Sequence, residues 1–72
     1  MEKIEIIIGS PVDYDELVAY LVVDGKYVAL VNQDEGKDNL KIEFFDKPNL
    51  KEVHYDTFLA ALREAKEKLL EE

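Results

Sequence analysis

Three groups of residues in this 72-residue chain have types that could do chemistry. The first lies in the run Asn32 to Asn39, NQDEGKDN. With Asn32 as position one, Asp34 falls at three, Asp38 at seven and Glu43 at twelve, offsets at which a Ca²⁺-binding loop places oxygen ligands. Such a loop also needs glycine at position six for its sharp turn, and Lys37 stands there. Glu43 in addition falls in a strand pattern. The expectation is a solvated hairpin loop and no metal site. The second candidate is His54, the only histidine. A general base needs a proton to abstract within hydrogen-bond reach, and no serine or cysteine lies near His54 in sequence. Ser10 and Thr57 are the only aliphatic hydroxyls, and both read as helix caps. The third is the set Asp13, Asp15 and Glu16. These could pair as acid and base, but surface acids on a short loop account for them equally well. No catalytic residue, cofactor-binding residue or cofactor is expected, and no enzymatic activity.

Composition narrows the remaining classes. One domain spans 1–72, and a chain this short buries only about 60–65% of the surface its unfolded form exposes. With 47% hydrophobic and 36% charged residues, the composition is that of a folded protein. There is no cysteine, which excludes a disulfide framework, a thiolate metal site and a thiol nucleophile. The chain must hold by packing alone. Seventeen acidic residues against nine basic ones give a net charge of −8. Phosphate neutralisation needs clustered Lys and Arg, so no nucleic acid partner is expected, and an anionic membrane surface is disfavoured for the same reason. No run approaches the roughly 18 apolar residues of a membrane span. The start, MEKIEIIIGS, holds too short an apolar run for a signal peptide. A cytoplasmic setting is expected of a natural chain with these features.

The elements that would position any site follow from hydrophobic period. In 2–8, Ile4, Ile6 and Ile8 share one face and Lys3 and Glu5 the other, a period of two with β-branched residues. Gly9-Ser10-Pro11 ends that strand, and a single turn or loop over 11–16 follows. The apolar runs 17–23 and 26–32 flank Asp24-Gly25, a pair that favours a type I′ turn with both residues at positive φ. A two-residue loop pairs Val23 with Lys26, Leu21 with Val28 and Ala19 with Leu30. One hairpin face then carries Ala19, Leu21, Val23, Val28 and Leu30. The other carries Val18, Tyr20, Val22, Tyr27, Ala29 and Val31.

Both faces are apolar, whereas a half-exposed antiparallel strand should alternate. The segment 40–45 alternates again, with its register open. Asp46-Lys47-Pro48-Asn49 is turn chemistry, and 51–55 suggests a short edge strand. Over 57–71, Phe58, Leu59, Leu62, Ala65 and Leu69 form an amphipathic helical stripe.

The expected fold is therefore α+β: an antiparallel β-meander of three to five strands with one C-terminal helix on one face. One helix covers one face only. The second hairpin face needs cover from 11–16, from another chain or from a ligand. Val18, Tyr20, Val22, Tyr27, Ala29 and Val31 are accordingly the candidate interface, for a homodimer or another protein partner. Tyr20 and Tyr27 carry the polar tip that suits an interface.

The run VAYLVVDGKYVALVNQDEGKDNLKIEF, followed by YDTFLAALREAKEKL, resembles a group of small uncharacterised bacterial α+β proteins. The resemblance covers about residues 17 to 70 and is one of scaffold only; it implies the meander-plus-helix build and transfers no site residue. In size and charge the chain is also similar to small acidic immunity proteins that bind and block toxins, which implies a basic protein partner. A second resemblance lies in AALREAKEKLLEE, which looks like designed sequence: strong helix formers throughout, set beside an Asp-Gly turn, no Cys, no Trp and Met only at position 1. The apolar second face and irregular loops depart from idealised design. A redesigned sequence on a natural-like scaffold reconciles the two.

Overall fold

A computed structural model of the chain describes residues 3–45 and 52–71. It contains β1 (Ile4–Gly9), β2 (Val18–Val23), β3 (Lys26–Asn32), β4 (Lys41–Phe44) and α1 (Tyr55–Glu71). The strands form one antiparallel sheet in the order β1-β2-β3-β4, and α1 packs across β1 and β2. This is the expected α+β meander with one C-terminal helix on one face. Among the described residues no helix is long and apolar enough to cross a membrane. The Asp46-Lys47-Pro48-Asn49 turn, the first residue of the expected 2–8 strand and Lys51 lie outside the described residues.

The β2–β3 hairpin forms at Asp24-Gly25 with both residues at positive φ, 50° and 80°, as the I′ turn requires. Asp24 also ties the turn to the neighbouring strand. Its N–H donates to the Lys3 carbonyl (2.8 Å), and its Oδ1 accepts the Lys3 N–H (2.9 Å). Gly36 takes φ 103° between two successive turns. The Gly36 N–H donates to the Gln33 carbonyl and the Asn39 N–H donates to the Gly36 carbonyl.

The hairpin register differs from the expected one. Val23 pairs with Lys26 and Val22 with Tyr27, but Leu21 then pairs with Ala29, Tyr20 with Leu30 and Ala19 with Val31. Val28 is the extra residue of a β-bulge, and a one-residue shift exchanges the faces of everything beyond it. Ala29 and Val31 therefore lie on the helix side, in one cluster with Ala19, Leu21, Val23 and Val28. Leu30 is turned to the opposite face. Ala29 and Val31 thus drop out of the candidate interface, and Leu30 joins that face in their place.

The helix side closes the main core. Ile4, Ile6 and Ile8 stand opposite Val23, Leu21 and Ala19 and meet α1 through Ala61, Ala65 and Leu69. Small alanines at the contact let the helix backbone approach a sheet already filled with isoleucine and leucine. Ala61 replaces Leu59 in the buried stripe, and Leu59 is left 40% exposed.

The helix starts two residues before the expected position, at Tyr55. Its first intrahelical bond runs from the Phe58 N–H to the His54 carbonyl (3.0 Å), so Asp56 and Thr57 lie inside the first turn and Thr57 is not the cap. Asp56 there and Lys68 in the last turn both suit the helix dipole. Glu64 and Lys68 form an i,i+4 ion pair at 3.1 Å. No strand forms at 52–55. Val53 instead packs against the core as chain leading into α1, because it is followed at once by helix and leaves no room for a ladder.

Candidate functional site

The face away from α1 carries most of the residues singled out from sequence. Val18, Val22 and Leu30 are buried there, and two devices within the chain cover them. At one end of the sheet the 11–16 segment turns back across it. The Tyr14 N–H donates to the Pro11 carbonyl, and the Tyr14 hydroxyl donates to Glu43 Oε2 on β4 at 2.8 Å. Since β2 and β3 separate these elements, that bond carries the segment over both strands. The Gln33 amide fixes the same end by donating to the Leu17 carbonyl at 3.2 Å.

At the other end the face covers itself with rings. Tyr20 and Tyr27 meet edge to face with centroids 5.5 Å apart, and Phe45 stacks on Tyr20 at 6.5 Å. The Tyr20 ring lies over Gly9, where a Cβ would come within 2.8 Å of Tyr20 Cε2. Of the candidate interface residues on this face, Val18 and Val22 are closed off, Tyr20 is half-buried, and Tyr27 at 50% is the most open.

Two of the carboxylates nominated for chemistry, Asp34 and Glu43, accept from the chain's own donors. Asp34 accepts the Glu16 N–H on Oδ1 (3.1 Å) and the Asp15 N–H on Oδ2 (3.4 Å), which docks the 11–16 segment onto the β3–β4 loop. Asn32, 6% exposed, is the one buried polar residue among those described. Its side-chain oxygen accepts the Asp34 N–H (3.3 Å) and its amide donates to Glu43 Oε2. Glu43 thus receives both Tyr14 and Asn32 on one oxygen. Glu35 pairs with Lys41.

Three of the four calcium-loop positions, Asn32, Asp34 and Glu43, therefore serve as local ties. Among the described residues no three His, Asp or Glu side chains are grouped to hold a metal ion. His54 is exposed just ahead of α1, and its backbone carbonyl accepts the Phe58 N–H.

The electrostatics follow from these contacts. Tyr14 is pushed up to about 12, first by its hydrogen bond to Glu43, then by desolvation and by the nearby charges of Glu43, Asp13 and Asp34. The Glu35 carboxylate beside Lys41 holds that ammonium above its ordinary value, by hydrogen bond and by charge.

Sequence reasoning missed the most exposed apolar surface of the sheet. On β4, Ile42 pairs with Val31 and Phe44 with Ala29, which places both on the helix side. Because α1 sits over β1 and β2, it does not reach them. Ile42 is 43% exposed and Phe44 68%. The alternation of 40–45 was readable, but only the register could say which face it joined. Compared with known proteins, the chain matches no family model, no curated protein and no solved structure.

Proposed function

We propose that this chain is a non-enzymatic α+β scaffold of designed or redesigned sequence, whose apolar sheet surface is available for self-association. The observation that carries the reading is the exposure of Ile42 and Phe44 on an edge strand. Large apolar side chains beside an unpaired strand edge favour association with another chain. The engagement of Asp34, Asn32, Tyr14 and Glu43 with one another supports a structural rather than a catalytic role for the polar groups. The propensity-rich helix and the Asp-Gly turn support the design element of the proposal. Light scattering over a wide concentration range tests the association. A molar mass that rises with concentration supports it, and a single-chain mass throughout, without binding of a hydrophobic dye, overturns it.

A second reading is an acidic protein-binding module that engages a basic partner. It is favoured by the way Asp34 draws Asp15 and Glu16 against the β3–β4 loop, concentrating acidic residues at one end of the sheet. Salt-sensitive binding to a basic protein, lost when Asp13, Asp15 and Glu16 are neutralised, supports it. Indifference to those changes removes it.

A further inference from the structure

We infer that β4 pairs antiparallel with β4 of a second copy about a two-fold axis through Ile42, joining the two sheets into one; this rests on the self-association reading above. The free edge of β4 determines which groups are available. Groups alternate in direction along an antiparallel ladder, and the Phe45 N–H donates to the Val28 carbonyl of β3. Lys41 and Glu43 therefore also aim their backbone groups at β3. Ile42 and Phe44 present theirs outward, with no partner strand among the described residues.

Symmetry then limits the register. Residues directly opposite each other across an antiparallel pair share a face, so a two-fold axis must pass through a residue. An axis at Lys41 or at Glu43 sets that charge against its own copy, which is destabilising. An axis at Phe44 sets Glu43 against Phe45. An axis at Ile42 sets Lys41 opposite Glu43 of the second copy, twice, on one face. On the other face it sets Ile42 against Ile42 and Phe44 against Leu40. Opposite charges face each other, exposed apolar groups meet, and the outward N–H and C=O of Ile42 find partners in the same step. Both helices stay on one side of the joined sheet, each lying over its own β1 and β2.

The other edge, β1, fits less well. Its Ile4, Ile6 and Ile8 are already half-buried against α1, and Ile7 on the other face, at 38%, is less exposed than Ile42 or Phe44. An axis at Ile7 would match no charges, setting Glu5 against Gly9. An axis at Ile6 sets Glu5 against Ile7. An axis at Ile4 matches Lys3 with Glu5 but engages only the first strand residues. A four-residue edge such as β4 is also short of the on-the-order-of 1,000 Å² that a permanent interface needs. The pairing is therefore reversible and depends on concentration.

The absence of cysteine makes the test direct. In Ile42→Cys the two new thiols face each other across the axis. Their Cα separation is about 5.5 Å for a hydrogen-bonded pair, within disulfide range. Oxidation of Ile42→Cys is expected to give a covalent dimer, and Ile6→Cys, at the rival edge, is expected to give none beyond random collision. Lys41→Glu places like charges opposite each other twice and is expected to raise the dissociation constant about tenfold. Mixing it with Glu43→Lys is expected to restore binding as a heterodimer. If the unmodified chain dimerises but Ile6→Cys cross-links and Ile42→Cys does not, the β4 register is wrong while self-association stands. A unmodified chain that stays monomeric up to millimolar concentration overturns both.

Discussion

Replacing Glu43 by alanine tests whether the acidic end of the sheet is structural. Its Oε2 accepts from the Tyr14 hydroxyl and from the Asn32 amide, and Asn32 is only 6% exposed. The substitution leaves that amide without its acceptor. A hydrogen bond to a charged group contributes about 1.5–3 kcal/mol, and a buried donor left unsatisfied costs about 1–3 kcal/mol. Glu43 itself is exposed, so water can re-enter and solvent screens the charge. The expected loss is therefore at the lower end, about 1–2 kcal/mol. A chain of this length has a total stability of about 4–11 kcal/mol, so the loss is readily measured by urea unfolding at a concentration where the chain is monomeric. Glu43→Gln keeps an acceptor oxygen and should lose less. A double-mutant cycle with Tyr14→Phe should show coupling, because the two groups touch. Asp38→Ala, on the exposed loop, should stay within about 0.5 kcal/mol. If Glu43→Ala is as neutral as Asp38→Ala, the carboxylate is merely part of a solvated face and the structural reading of this end fails.

Tyr14 should titrate above the ordinary tyrosine range. Its folded-state pKa is raised from 10.0 to about 12, so the neutral phenol is the form the fold favours. The associated stability is full below pH 10 and is lost as pH rises towards 12. Tyrosinate absorbance should show this late step in the folded chain and not in Tyr14→Phe. Leu69→Ala empties a position that is 1% exposed between α1 and the sheet and should cost about 2–5 kcal/mol, lowering the melting temperature by ~4–8 °C per kcal/mol. Gly9→Ala drives a Cβ to 2.8 Å from Tyr20 Cε2. It should destabilise by about 1–3 kcal/mol and change the near-ultraviolet circular dichroism of the tyrosines, and Tyr20→Leu should relieve the clash.

What could be read from sequence divides along physical lines. The alternation of Ile4, Ile6 and Ile8, the Asp-Gly turn and the stripe through Phe58, Leu62, Ala65 and Leu69 are local signals, and each produced its element. The bulge at Val28 has no local signal. Val, Ala and Leu suit either face of an apolar strand, so nothing in YVALV shows which residue is extra. That single residue moved Ala29 and Val31 into the core beneath the helix and Leu30 out of it.

The way the second face is covered was only partly within reach. It depends on a hydroxyl meeting a carboxylate 29 residues away and on rings from Tyr20, Tyr27 and Phe45 that only the register brings together. The need for cover was legible, and so was the 11–16 segment as one candidate source, but the ring cluster was not. The open surface then proved to be on the helix side of β4. Once the strand order placed β4 beyond the helix, Ile42 and Phe44 were left 43% and 68% exposed.

Amide hydrogen exchange at Ile42 and Phe44 reads the pairing of β4 with a second copy residue by residue. In the single chain both N–H groups face solvent and should exchange rapidly. In the β4–β4 pair they are hydrogen-bonded, so their protection should rise with protein concentration, while the outward N–H groups of Ile4, Ile6 and Ile8 stay unprotected. Exchange at Ile42 and Phe44 that does not change with concentration, or protection that appears instead along β1, would rule out the β4–β4 pair.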